Sequence, residues 1–290
     1  MASVTIKDVA KLANVSTTTV SHVINETRYV DPETKARVQA ILEELGYQPN
    51  ILARSLRSGV TKMLGLIVPD ASNLFFAEIA RKIEDIGFNH GYSVVLCNSD
   101  NDPTKQTSYV NTLIERKVDG VIIISSGDTP DDLNRLVANR IPVVVADRDV
   151  SLQMGDVVLI DNEKGGYDAT AHLVSLGHKR IACISGPNDL TPSRQRVDGY
   201  LRCLKENGIK ADKGLIEMGR FDFLSGKQSM ARLLALEERP SATFVANDMM
   251  AIGAMAAAYE AGIAVPEELS IIGFDDIGLA SVSTPALTTM

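Results

Sequence analysis

The sequence predicts an all-α amino-terminal module followed by a larger α/β body built from two doubly wound halves. Three observations carry this reading. The first stretch of chain shows helical apolar spacing and no strand-like run. From Met63 onward, β-rich runs alternate with amphipathic stretches. That alternation occurs in two successive series. A length of 290 residues also exceeds what one ordinary core encloses, which favours a small unit beside a large one.

In the module, Ile6, Val9, Ala10, Leu12 and Ala13 share one helical face, giving a first helix from Ile6 to Ala13. Asn14 and Val15 make a tight turn. Ser16 then caps a second helix, Thr17 to Asn25, which turns Val20, Val23 and Ile24 inward. A third helix opens with Pro32 in its first turn, carries Val38, Ile41, Leu42 and Leu45, and stops at Gly46.

The body's first series has strands near 64–68, 93–97, 120–125 and 142–146, with helices near 75–89, 104–117 and 129–139. The second has strands near 156–160, 180–185, 242–246 and 269–273, with helices near 164–177, 193–208, 225–235 and 248–262. Such alternation builds parallel sheets with right-handed crossovers. Ligands of open α/β sheets lie beyond the carboxyl ends of the strands, so two such halves enclose a cleft. The expected boundaries are 1–48 for the module, 49–61 for a hinge and 62–290 for the body, with the chain passing between halves near 150–163.

Composition narrows the function. Hydrophobic residues at 45% and charged residues at 23% describe a globular protein with a sizeable core. The longest apolar runs, such as Gly120 to Ile124, fall far below the roughly 18 residues of a membrane span. The amino terminus lacks the charged and apolar regions of a secretory signal, so a cytoplasmic location is expected. Cys97, Cys183 and Cys203 form no CxxC pair and read as structural thiols. The net charge is −8, yet residues 1–62 carry eight Lys/Arg against six Asp/Glu, which makes a basic head on an acidic body.

Enzymatic chemistry finds no support. The chain contains no GxxxxGK[ST], GxSxG or HExxH motif, and His90, His172 and His178 sit at helix ends without ligand spacing. No catalytic residue, metal ligand or cofactor is assigned. A transport binding protein would account for the cleft, but neither for the missing signal nor for the head. On the second helix, Thr17, Thr18, Ser21 and His22 are left facing outward, short hydrogen-bonding groups suited to base edges in a major groove.

The runs TIKDVAKLANVSTTTVSHVIN, ELGYQPN and ARSLRSG resemble the heads of the lactose-repressor/galactose-repressor family of helix-turn-helix transcription regulators. The resemblance implies that Thr17, Thr18 and His22 read bases, alongside Thr5, Ser16 and Ser21 on the same DNA-facing surface. It further implies that Asn25, Tyr47 and Asn50 hold phosphates. For the hinge the resemblance implies that Leu56 wedges into the minor groove, with Ala53 small enough for close approach of a second copy and Arg54 placed to reach phosphate. Pairing of two such heads implies a homodimer on a pseudo-palindromic double-stranded operator.

The body, through ISGPNDLTPSRQRVDGY, FVANDMMAIGAM and IIGFDDIGLASVSTPALTT, resembles periplasmic pentose-binding proteins of type I and, within the repressor family, its ribose-operon branch. That resemblance implies a ribose-like sugar effector. Asn73, Asp147, Arg148, Arg196, Asn247 and Asp275 would hydrogen-bond its hydroxyls, and Phe75, Phe76, Phe221 and Phe274 would sandwich its ring. Ser125 joins this set at a position where ribose binders carry Asn. A purine co-repressor is the alternative effector, and the sign of the response stays open. Relatives continue beyond TPALTT with a strand and helices, so a chain stopping at Met290 is expected to expose sheet edge and apolar surface and to dimerise poorly.

Overall fold

The computed structural model describes residues 4–47, 59–124, 130–147 and 155–290. The chain divides into two compact units, residues 1–61 and 62–290.

The first unit is a three-helix module: α1 Ile6–Ala13, α2 Thr17–Asn25 and α3 Pro32–Glu44. Asp8 accepts hydrogen bonds from the amide of Thr5 at 2.9 Å and from its hydroxyl at 2.7 Å, fixing the start of α1. Asn14 ends that helix in the left-handed conformation, φ 51°, which Asn tolerates better than most residues. Ser16 accepts the amide of Thr19 at 3.0 Å and caps α2. Val9, Ala10, Ala13, Val20, Val23 and Val38 make a small core. From α3, Arg37 donates its Nε proton to the carbonyl of Ala13 at 3.1 Å and so ties the end of α1 to the third helix.

The second unit holds two parallel sheets. The first lobe contains β1 Met63–Val68, α4 Leu74–Asn89, β2 Ser93–Asn98, α5 Pro103–Glu115, β3 Gly120–Ile124, α6 Pro130–Ala138, β4 Val143–Ala146 and β5 Asp156–Val158, in the order β2-β1-β3-β4-β5. The second contains α7 Asn162–Ser175, β6 Ile181–Ser185, α8 Thr191–Glu206, β7 Ile216–Met218, α9 Phe223–Leu234, β8 Ala242–Val245, α10 Asp248–Glu260, β9 Ser270–Ile272 and α11 Gly278–Val282, in the order β7-β6-β8-β9. Every paired strand is parallel.

The fold class is the one the sequence predicts, with three corrections. The strand expected to open the second series is β5, and it pairs with β4 in the first sheet, Val145 against Val157. Its run is short and exposed, so apolar alternation alone did not reveal which sheet it joins. The short strand β7 and helix α11 were not foreseen; three and five residues are too few to establish a period. Beyond β9, Thr288 forms a parallel bridge to Ile272 and accepts the amide of Gly273 at 2.9 Å, so this edge of the second sheet carries the last residues of the chain. Leu96, Val158, Leu159 and Ile160 stand exposed in the first lobe.

The two lobes also meet through a side chain. Glu78 on α4 accepts the amide proton of Gly278 at 2.9 Å. Among the described residues no helix is long and apolar enough to cross a membrane.

Candidate functional sites: cleft and helical head

A cavity of about 340 Å³ opens between the lobes at the carboxyl ends of their strands, within the size range of small-molecule sites. Its walls come from the loops after β1, β2, β4, β6, β7, β8 and β9. Of the residues expected there, Asn73, Phe75, Phe76, Asp147, Arg196, Phe221, Asn247 and Asp275 all line it. Arg148 and Ser125 lie outside the described residues.

Arg196 is the most constrained of these. Only 4% exposed, it donates from Nε to Asn162 Oδ1 at 2.8 Å and from Nη1 to the carbonyl of Ala246 at 2.6 Å and to Asp275 Oδ1 at 3.3 Å. Helices α7 and α8 pack so closely that a Cβ on Gly166 would lie 2.2 Å from the Arg196 carbonyl oxygen, and one on Gly199 2.0 Å from that of Glu163. Glycine at both positions therefore sets the depth at which Arg196 enters the site. Burial pushes the Asp275 carboxyl up to about 7; Asp248 and Asp147 push the same way, and Arg196 opposes them.

Phe274 departs from the expected sandwich. After β9 the chain bends at Phe274 and Asp275, with Asp275 at φ 107°, and the bend leaves Asp275 on the cleft wall and the Phe274 side chain in the core. The guanidinium carbon of Arg196 lies 3.7 Å from its ring centroid, so Phe274 is a platform beneath Arg196 and not a wall of the cavity. Phe76 divides its surface: it lines the cavity and also packs on the cluster of Leu66, Val68 and Ile124, which Phe75 does not join.

Phe221 holds a left-handed backbone, φ 63°, and presents its ring to the cavity. Its carbonyl accepts Asn247 Nδ2 at 3.2 Å, while Asn247 Oδ1 caps α10 through the amide of Met250 at 3.0 Å. The ring rests on Gly186, where a Cβ would come within 2.1 Å. Asn73 likewise caps its helix, accepting the amide of Phe75 at 3.0 Å. These asparagines spend one oxygen lone pair on a helix end and keep further capacity for a ligand.

The sequence reading missed Asp70, Ser72, Asn101, Leu190, Arg220, Asp222, Phe223 and Met249 in the cavity wall. Most sit in the same strand-end loops and were legible by position. Arg220 and Asp222 follow β7, the unforeseen strand, and flank Phe221, which alone of that loop was expected at the cleft. His178, read from the sequence as a helix-end residue without ligand spacing, lies just past the end of α7 and bridges Ser241 at 2.9 Å and Ser270 at 3.0 Å. Cys97, Cys183 and Cys203 are free and buried, and burial pushes the Cys183 thiol up to about 12.

On the head, Thr5, Ser16, Thr17 and Thr18 are exposed, while Ser21, His22, Asn25 and Tyr47 are half-buried. Thr5 and Ser16 hold helix starts, His22 Nδ1 pairs with the Thr27 hydroxyl at 2.8 Å, and Asn25 donates back to the Ser21 carbonyl at 2.8 Å. Tyr47 packs against the helical core. Asn50, Ala53, Arg54 and Leu56 lie outside the described residues.

Residues 5–50 match the family of bacterial regulatory proteins of the lacI family. Residues 61–289 match the periplasmic binding proteins and sugar binding domain of LacI family. The HTH-type transcriptional repressor PurR of Vibrio atlanticus is 41% identical over 288 residues, 99% of this chain and 86% of that protein. The ribose operon repressor of Escherichia coli is 41% identical over 289 residues, 99% of this chain and 87% of that one. Among solved structures, the lac repressor dimer bound to operator and the anti-inducer ONPF superposes with a TM-score of 0.87 at 31% identity, covering 99% of this chain and 87% of that one. A complex of the transcriptional regulator CelR with cellobiose gives 0.71 at 30% identity, covering 99% and 87%. The chain therefore belongs to the lacI family, as a DNA-binding transcriptional repressor with an effector domain of the sugar-binding kind and not an enzyme.

Proposed function

We propose that this repressor acts in the cytoplasm as a homodimer, controls a sugar-catabolism operon, and leaves a pseudo-palindromic operator when a ribose-like sugar fills the cleft. The supporting observation is the cleft itself: Arg196, Asp275, Asn247 and Asp147 offer donors and acceptors around a space of about 340 Å³ flanked by Phe75 and Phe221. Alternating polar groups and aromatic faces suit the hydroxyls and C–H faces of a polyol. In the head, Thr17, Thr18 and His22 read bases, with Thr5, Ser16 and Ser21 beside them and Asn25, Tyr47 and Asn50 on phosphates. Residues 49–61 form the hinge, with Ala53 at the pairing surface, Arg54 on phosphate and Leu56 as the minor-groove wedge. Arg148 and Ser125 complete the sugar contacts.

Effector closure shifts the population of lobe arrangements and thereby separates the paired hinges. Such coupling is reciprocal and amounts to about 1–3 kcal/mol, so operator weakens sugar binding by the factor with which sugar weakens operator binding. The test is fluorescence anisotropy of the protein with a labelled pseudo-palindromic duplex at fixed salt, with and without D-ribose. Binding that D-ribose releases supports the reading; operator affinity indifferent to D-ribose overturns the effector assignment.

One observation favours a second reading. PurR proteins of several bacteria are as similar to this chain as the ribose operon repressor, at 39–42% identity. Under that reading a purine base is a co-repressor, and adenine or guanine tightens operator binding in the same titration.

A further inference from the structure

We infer that Asn162 is a positioning residue: it aims Arg196 into the cleft and fastens it to the segment where the chain passes from the first lobe to the second. The inference rests on the effector-site reading above. Asn162 does not line the cavity and acts only through the residues it holds. It is 3% exposed, at the first position of α7.

A guanidinium is a planar fork, and holding two of its nitrogens fixes the direction of the third. In Arg196, Ala246 and Asp275 both act on Nη1, whereas Asn162 acts on Nε, at 2.8 Å. The Phe274 ring, 3.7 Å from the guanidinium carbon, fixes the plane without choosing the rotation within it. Asn162 supplies that choice, leaving Nη2 without a partner among the described residues on a side chain that lines the cavity.

The same amide reaches the crossover. Asn162 Nδ2 donates to the carbonyl of Ile160 at 3.3 Å, and the Asn162 backbone amide donates to that oxygen at 2.9 Å. Ile160 and Asp161 carry the chain from β5 of the first lobe into α7 of the second. One buried side chain therefore touches both the cation expected to meet the effector and the segment that joins the two lobes. Packing of α7 on α8 does not need this amide, because Gly166 and Gly199 bring the two backbones into direct contact. Asn162 is thus free to serve orientation and coupling.

Two variants of the full chain separate these roles, with D-ribose as the probe. Asn162→Leu keeps the size and removes both side-chain hydrogen bonds; Asn162→Asp keeps an acceptor for Arg196 and removes only the side-chain donor to Ile160, the backbone amide remaining. We expect the Leu variant to bind D-ribose at least about tenfold more weakly, with sugar-free operator affinity held within about twofold. The Asp variant should recover most of that sugar affinity. Its coupling factor, the ratio of ribose affinities without and with operator, should fall toward one.

Wild-type ribose affinity in the Leu variant overturns the inference, as does full coupling in the Asp variant. Parallel loss of ribose and operator binding in both variants also overturns it, because that marks a merely structural residue. Failure of the wild-type chain itself to bind D-ribose is a different result, which removes the effector reading and the inference with it.

Discussion

In the head, Thr17 and Thr18 stand in solvent beside a core of six small aliphatic residues that does not include them. In the second lobe, Arg196, Asn247 and Asp275 are almost wholly buried and hold helix ends, strand-end carbonyls and one another. At Thr17 and Thr18, the positions proposed to read bases, the head can change without disturbing what folds it. The cleft cannot, because the groups proposed to meet the effector are also its structural links. Specificity in the two regions should therefore carry very different stability penalties when altered.

The largest test of this contrast is Arg196→Ala. Removing the cation leaves the Asp275 carboxyl buried near Asp248 and Asp147 without its counter-charge. Breaking one side of a buried pair costs about 3–5 kcal/mol, so urea denaturation should show a loss of that order together with abolished sugar response. A variant that keeps wild-type stability would mean the cleft network is as dispensable to folding as the head surface.

Gly186→Ala comes next. A Cβ placed 2.1 Å from the Phe221 ring has no room, and overpacking of this kind costs about 1–3 kcal/mol. The ring must move into the cavity, so effector affinity should fall while operator binding without effector is retained. Equal sugar binding by variant and wild type would show that the ring does not form a contact wall.

Within the head, Ser16→Ala and Thr18→Ala sharpen the comparison. Ser16 caps α2 through Thr19, and losing such a cap costs about 1 kcal/mol. Thr18 is exposed, so Thr18→Ala should alter stability by no more than about 0.5 kcal/mol while changing operator affinity and base preference. Thermal melts beside operator titrations separate the two; equal melting losses would dissolve the distinction.

How much was legible in the sequence follows the same division. The head's first two helices were readable to the residue and the third at its start, because Asn14, Ser16 and Pro32 mark those ends chemically, whereas α3 ends at Glu44, short of the expected stop at Gly46. Strand-end loops disclosed most of the cleft, since Asn73, Asp147 and Asn247 follow clear apolar runs. Phe274 was misassigned because its place depends on the bend after β9, where Asp275 takes a positive φ that composition does not report. Asn162 was invisible as a site residue: its partner Arg196 lies far along the chain, and only the glycine-mediated contact of α7 with α8 brings them together. Residues that act through others have no local signature.

The smallest expected effects concern pH, where two groups in the second lobe act with opposite sign. His178 spans Ser241 and Ser270 at the starts of β8 and β9, and partial burial lowers its pKa below the ordinary 6.5. In the window just below 6.5 the unfolded chain binds the proton and the folded chain resists it, so this contribution to stability is complete above 6.5 and is lost as pH falls. Asp275 runs the other way. Its carboxyl is raised from 3.8 to about 7, so the folded chain holds the extra proton between those values and stability declines as pH rises through them. Wild-type stability between pH 5 and 7 should therefore fall less steeply with rising pH than Asp275 alone dictates. Melts across this range should show that His178→Gln removes the acid-side loss and leaves a steady decline with rising pH, whereas Asp275→Asn removes that decline and gains most over wild type near pH 8. If both variants keep the wild-type profile, neither the serine bridge nor the buried carboxyl governs how this lobe answers to protons.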